Sequence, residues 1–328
     1  MKNKFLVLFG IAVLFFLQSC YLLEQGIGQI KLRMAQVPLE EAIEKEQNRE
    51  IKKLLAKVPE IKQYAVAHLE LQQNDNYTSY YVTDKEGVAF VVTASPETEL
   101  KPYTWWFPII GSVPYKGFFA KEDALELEKE LKEKGYDTWL FAAPAYSTLG
   151  WFKDPLTTPM LKRGYYPLVA TLIHEMVHTT LYVEGEGDFN EQLASFVENK
   201  GTMEYFQSKG LMTEEKTAQI ESQKAKRKKF SKLMSKYASL LKANFADDIS
   251  QNDKKLRKQM LYEELQKEVE LIYPGRSEGY WRFNNARMLQ YNRYREDSEL
   301  LNGFWQQSNN DWKQFWSLVN DHVEQQGW

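Results

Sequence analysis

The stretch LIHEMVHTTLYVEGEGDFNEQLASFVE, Leu172–Glu198, carries two of the chain's four histidines, four residues apart. From Tyr166 to Tyr182, apolar residues recur at Leu168, Val169, Leu172, Ile173, Met176, Val177 and Leu181, the spacing of an amphipathic helix. Residues i and i+4 share a helix face, so His174 and His178 project together, as two imidazoles must to hold one Zn²⁺. Glu175, beside His174, is placed to act as base on a water at the metal instead of binding the metal. This is the HExxH pattern with its chemistry attached. A lone HExxH also arises by chance in ordinary helices, so the residues that follow decide the reading.

A catalytic zinc site wants three protein ligands and an open position. Glu184–Asp188, EGEGD, reads as a Gly-rich turn, and FNEQLASFVE opens a second helix. Asn190 and Glu191 fall in its first turn, where Asn caps and Glu suits the helix dipole. Glu191, 13 residues after His178, is the candidate third ligand. Glu198, seven residues further on the same face, reads equally as a hydrogen-bond acceptor behind a metal-binding imidazole or as a solvent-facing acid. A helix–turn–helix with its Glu supplied by N-E-x-x-A resembles the gluzincin branch of zinc peptidases, with a shorter spacing than in thermolysin-like members.

Outward from this core, the chain has 328 residues, enough for one large domain, and a net charge of −3 that gives no reason to expect nucleic acid. The only cysteine is Cys20, so no intrachain disulfide forms. Met1–Lys4 is basic, Phe5–Leu17 is apolar, and LQSC follows: the layout of a secretory signal, too short for a membrane span of roughly 20 residues. The L-x-S-C ending resembles the bacterial lipobox, which implies cleavage before Cys20, lipidation of that cysteine and a mature chain tethered outside the cytoplasm. Tyr21, not Asp, follows it, which in a cell with two membranes favours the outer one, facing the periplasm.

Residues from about Leu23 to Gln73 read as helices interrupted at Val37–Pro38 and Val58–Pro59. Val88–Ser95 and Tyr136–Pro144 read as strands around a charged helix, Lys121–Gly135. Beyond Pro167 the pattern is helical: a hairpin of Thr213–Asn244 and Lys254–Leu271, then closing helices at Asn284–Tyr294 and Asn309–Gln325. Aromatic residues make up 14% of the chain, and clusters such as YTWWF and GYWRF are expected to build cores. The basic run Lys224–Lys232 is expected to be a solvated helix face.

Together these segments resemble a bacterial lipoprotein family known as the predicted aminopeptidases, zincin-like proteins with an HExxH. The resemblance is carried by the signal ending at Cys20, GQIKLRMAQ, Trp105–Phe119 (WWFPIIGSVPYKGFF), Pro144–Leu156 (PAYSTLGWFKDPL), the HExxH-to-NExxA block and Asn284–Met288 (NNARM). It departs from the family at Glu186–Gly187, in the turn between ligands. The fold expected is α+β and predominantly helical, zincin-like, with a small mixed sheet. Residues 1–19 are expected to be a signal peptide and 20–328 a single domain: N-terminal helices to 75, a sheet region over 77–160, and metal-site helices with a helical C-terminal part from 165.

The function expected is that of a membrane-anchored zinc peptidase acting on peptides or proteins in the envelope, with one Zn²⁺ held by His174, His178 and Glu191. Asn190 and Glu198 support the ligands, and Glu175 is the base. Tyr146 is the first candidate for the phenol facing the oxyanion, with Tyr115 and Tyr291 behind it. Glu184, Glu186 and Asp188 are candidates to hold a substrate α-amine, though a solvated acidic turn suits them better. Val88–Ser95 is the candidate edge strand for pairing with an extended substrate. Two other classes stay open: a metal-binding envelope scaffold without catalysis, against which an intact Glu175 argues, and a zinc amidase acting on cell-wall peptides.

Overall fold

The structure, a computed structural model, describes residues 21, 24–107, 111–143, 153–277, 279–292 and 299–328. The signal segment with Cys20, the run 144–152 with Tyr146, and Tyr294 lie outside the described residues. The chain begins with helix α1 (residues 24–34), strand β1 (Gln36–Pro38), and helices α2 (Leu39–Lys45) and α3 (Arg49–Leu69). Strands β2 (Ser79–Tyr81), β3 (Ala89–Pro96), β4 (Trp105–Phe107), β5 (Gly111–Val113) and β6 (Lys116–Phe118) follow. Helix α4 (Lys121–Glu133) leads to strands β7 (Tyr136–Ala143) and β8 (Leu156–Thr157). The remainder is helical: α5 (Thr158–Lys162), α6 (Tyr165–Thr180), α7 (Gly187–Ser208), α8 (Glu214–Ala246), α9 (Gln251–Ile272), α10 (Asn285–Asn292), α11 (Glu299–Gln307) and α12 (Trp312–Gln326). The fold is α+β and predominantly helical, as the periodicity of the sequence implies.

Val58–Pro59 does not interrupt a helix: it lies inside α3. Proline in a helix interior loses a hydrogen bond and costs about 3 kcal/mol. Burial offsets this, because Ile51, Leu55, Val58, Ile61, Ala65 and Leu69 form one buried stripe along α3. Asn48 starts the helix by accepting from the amides of Glu50 and Ile51, and Glu70 ends it in the left-handed region at φ 55°. Val37–Pro38, by contrast, is a true interruption and forms part of β1.

The Val88–Ser95 run is also not an edge. Strand β3 is central, antiparallel to β6 through Phe90↔Phe118 and to β7 along its whole length. Its apolar residues do not alternate with polar ones, which is the pattern of a strand covered on both faces. A substrate strand therefore has no ladder to join there. A second sheet has the order β1-β2-β8, and β4 and β5 form a separate hairpin.

The largest core joins α3, α6 and α7 to the closing helices α11 and α12. Leu55, Ile61, Leu172, Ile173, Leu193 and Phe315 are fully buried in it. Phe196 stacks on Phe315 at 5.3 Å, and the Trp316 indole donates to the carbonyl of Leu69. The C-terminal helices thus brace α3 and α7, which in turn pack against the helix that carries both histidines. Trp281, Phe283 and Tyr237 anchor a second core between α8, α9 and α10, and Phe90, Val92 and Leu131 a third under α4. The aromatic clusters mostly build cores, as expected. Lys224, Arg227, Lys228 and Lys232 of the basic run line a groove of about 510 Å³ beside Lys200 and Glu204. No helix of the described residues is long and apolar enough to cross a membrane.

Candidate metal centre

Helix α6 buries Leu168, Val169, Leu172, Ile173, Met176 and Val177, which leaves His174, Glu175 and His178 on its half-buried flank. The chain then turns through Val183–Glu186 into α7, which packs against α6 and buries Leu193, Ala194 and Val197. That packing carries Glu191 over the two histidines. The His174 Nε2 and His178 Nε2 atoms face each other at 3.2 Å, and each lies 3.5 Å from a Glu191 carboxylate oxygen. Ligand atoms around a tetrahedral zinc with bonds of about 2.0–2.1 Å sit roughly 3.3 Å apart. The two histidine nitrogens stand at about that spacing, and each faces one of the two Glu191 oxygens at a similar distance. His174, His178 and Glu191 are also the one such ligand group among the described residues.

The protonation of the group points the same way. Burial disfavours a charged His174, but hydrogen bonds to Glu191 and Glu198 outweigh it and raise its pKa from 6.5 to about 10. Burial likewise disfavours a charged Glu191, and the two histidines overcome this and hold its pKa at about 2. Two imidazole nitrogens aimed at each other and at a carboxylate form an anion-rich cage in which a proton occupies the place suited to a cation.

Glu198 meets His174 Nδ1 at 3.0 Å. An Nδ1–H donated there leaves the Nε2 lone pair facing Glu191, the tautomer a metal ligand needs. Replacing Glu198 with Ala is expected to weaken metal affinity about 10- to 100-fold while leaving the stoichiometry at saturation unchanged, as titration against a competing chelator will report.

Asn190 does not cap α7. The helix starts at Gly187, one turn earlier, with Glu186 at its cap position. The Asn190 side chain instead turns back on the connection: its oxygen accepts from the Val183 amide at 2.9 Å, and its nitrogen donates to the Val183 carbonyl at 2.7 Å. It is buried and fixes the entry of α7, and with it the place of Glu191. Glu184 and Asp188 are exposed and Glu186 is partly exposed, consistent with a solvated turn.

Tyr291 packs among Phe230 and Phe283 in a different core, and Tyr115 lies exposed beside β6, so the structure brings neither to the histidines. A tyrosine that periodicity does not reveal lies near enough to Glu175 to feel its charge: Tyr77. Tyr77 is 2% exposed and has φ 63°, a left-handed backbone that bulky residues rarely adopt and that collects at functional sites. Its segment is fastened from two sides. Asn74 donates to Thr179 at 2.7 Å, and Thr179 shares a face with Glu175 one turn earlier on α6. On the other side, the Tyr77 amide donates to the Asp154 carbonyl at 2.7 Å, and Lys153 pairs with Asp75 at 2.6 Å. Burial pushes the Tyr77 phenol well above its usual pKa, and the Glu175 and Asp154 carboxylates add to this.

No curated protein and no solved structure matches the chain. Residues 20–326 match the family described as "Putative aminopeptidase", and with nearly its whole length covered the chain belongs to that family.

Proposed function

We propose that the chain is a metal-dependent peptidase, with zinc as the metal best suited to its donors, tethered to the cell envelope by lipid on Cys20. Family membership supports the peptidase role. The observation that carries the metal is the convergence of three donors: His174 Nε2 and His178 Nε2 lie 3.2 Å apart, close to the ligand spacing of tetrahedral zinc, and each is 3.5 Å from one of the two Glu191 carboxylate oxygens. Bound there, the metal supplies Lewis acidity toward a water and a scissile carbonyl.

The protein's own groups do the rest. His174, His178 and Glu191 hold the ion, and Glu198 holds His174 in the right tautomer. Glu175 takes the proton from the attacking water and passes it to the departing amine. Tyr77, kept protonated by burial, supplies an O–H donor on the Glu175 side. The L-x-S-C ending supports lipidation and an envelope location, with the outer membrane favoured by Tyr21 in a cell that has two membranes.

The test is cleavage of a panel of fluorogenic aminoacyl amides and of amine-blocked peptides, with activity lost to chelator and restored by zinc. Preference for free amines marks an aminopeptidase, and cleavage of the blocked peptides alone marks an endopeptidase. No cleavage by zinc-loaded protein contradicts the proposal. On whichever substrate is cut, Tyr77→Phe is expected to lower kcat about tenfold or more, with KM and metal content little changed. An equal loss of melting temperature and metal would instead make Tyr77 a packing residue.

A further inference from the structure

Helix α1 has two apolar faces, and only one of them meets the protein. Tyr21, itself helical and three residues before α1, packs its ring on Phe107 and Phe118 at 5.8 and 5.6 Å and donates to the Gly117 carbonyl. Gly28 lies so close to Phe119 that an added Cβ would come within 2.2 Å of the ring, and Leu32, one turn on, is 7% exposed. Ile27, Ile30 and Met34 lie on the opposite face, at the i, i+3, i+7 spacing of a single stripe. They are 50%, 58% and 83% exposed. Ile30 is two residues from both Gly28 and Leu32, which places it about 200° round the helix from them.

An outward stripe of this kind asks for a cover, and the chain itself indicates which. Cys20 directly precedes Tyr21 and closes the apolar run Phe5–Leu17. If Cys20 carries lipid, Ile27 and Met34 follow the acylated residue by only 7 and 14 positions. A helix lying in the plane of the bilayer therefore keeps the whole stripe at its surface. Lys31 and Arg33, both exposed, flank the stripe on the two sides, as suits a helix resting among anionic headgroups.

We propose that the Ile27–Ile30–Met34 face of α1 is the surface on which the protein lies against a phospholipid bilayer, so that the anchor fixes orientation as well as location. This rests on the lipid anchor proposed above. It makes α1 a second membrane contact beside the acyl chains, which a single anchor would not supply.

The experiment uses the full chain carrying its lipid, purified from bacterial membranes and reconstituted in vesicles of phosphatidylethanolamine and phosphatidylglycerol. With Cys20 acylated, Met34→Cys offers the one free thiol for a nitroxide. Leu271→Cys, at a site 84% exposed on α9, serves as the reference. At residue 34, relaxation by oxygen relative to a water-soluble nickel chelate is expected to be several-fold higher than at residue 271. The same ratio at both positions, in protein that floats with the vesicles, overturns the docking face while leaving the anchor intact. Spin–spin broadening at residue 34 that dilution with unlabelled protein removes also overturns it, in favour of a second copy covering the stripe. An unacylated Cys20 with no flotation overturns the anchor and this inference with it.

Discussion

Glu175→Gln is expected to keep its metal and to lose turnover by a factor of about 10² to 10⁴. Gln preserves the size and hydrogen-bonding reach of Glu but cannot accept a proton. Glu175 is half-buried, next in sequence to His174, and on the helix face that also carries Thr179, where the Tyr77 segment is tied down. The variant leaves His174, His178 and Glu191 untouched, so metal analysis and melting temperature should match the parent. Full activity with bound metal would mean that another group carries the proton.

The second large effect is the coupling between metal, protons and stability. In the metal-free protein His174 has its pKa raised to about 10, so its contribution to stability is complete below about 6.5 and is lost as pH rises through 10. Glu191 is shifted the other way: its contribution is present above about 4.5 and lost as pH falls toward 2. At neutral pH the free site therefore holds a proton on His174 that a metal must displace. Zinc binding at pH 7 is expected to release about one proton per ion, seen as a dependence of calorimetric heat on buffer ionisation enthalpy. It should also raise stability by about 2.7 kcal/mol when free zinc is about 100 times Kd. Binding without proton release would show that the histidine cage is neutral before the metal arrives.

What was legible in the sequence followed from local rules. The apolar stripe of α6 fixes which face His174, Glu175 and His178 share. The Gly-rich turn returns the chain, so the distance from His178 to Glu191 could be read as a third ligand brought back over the first two. The long helices α8 and α9 and the core role of the aromatic clusters were also visible. The features that local rules do not reveal are tertiary. Pro59 stays helical since its neighbours are buried against other helices, a fact absent from α3 taken alone. The β3 run reads as an edge strand only if its lack of alternation is ignored. Asn190 has the residue type of a cap, but α7 begins one turn before it, and its amide closes the loop at Val183 instead. Helix α11 leaves a weaker trace in the sequence, because Gly303 in its interior lowers its helical propensity. Tyr77 gives no local signal at all: its place comes from residues 74–77 being held between 153–154 and Thr179, three segments far apart in the chain.

The most direct test of the central claim is metal content by plasma emission on the purified protein, alongside Glu191→Ala. One zinc per chain in the parent, falling sharply in the variant, is the result this account predicts. A parent that stays empty when zinc is supplied, or a Glu191→Ala protein that keeps its full complement, would contradict it.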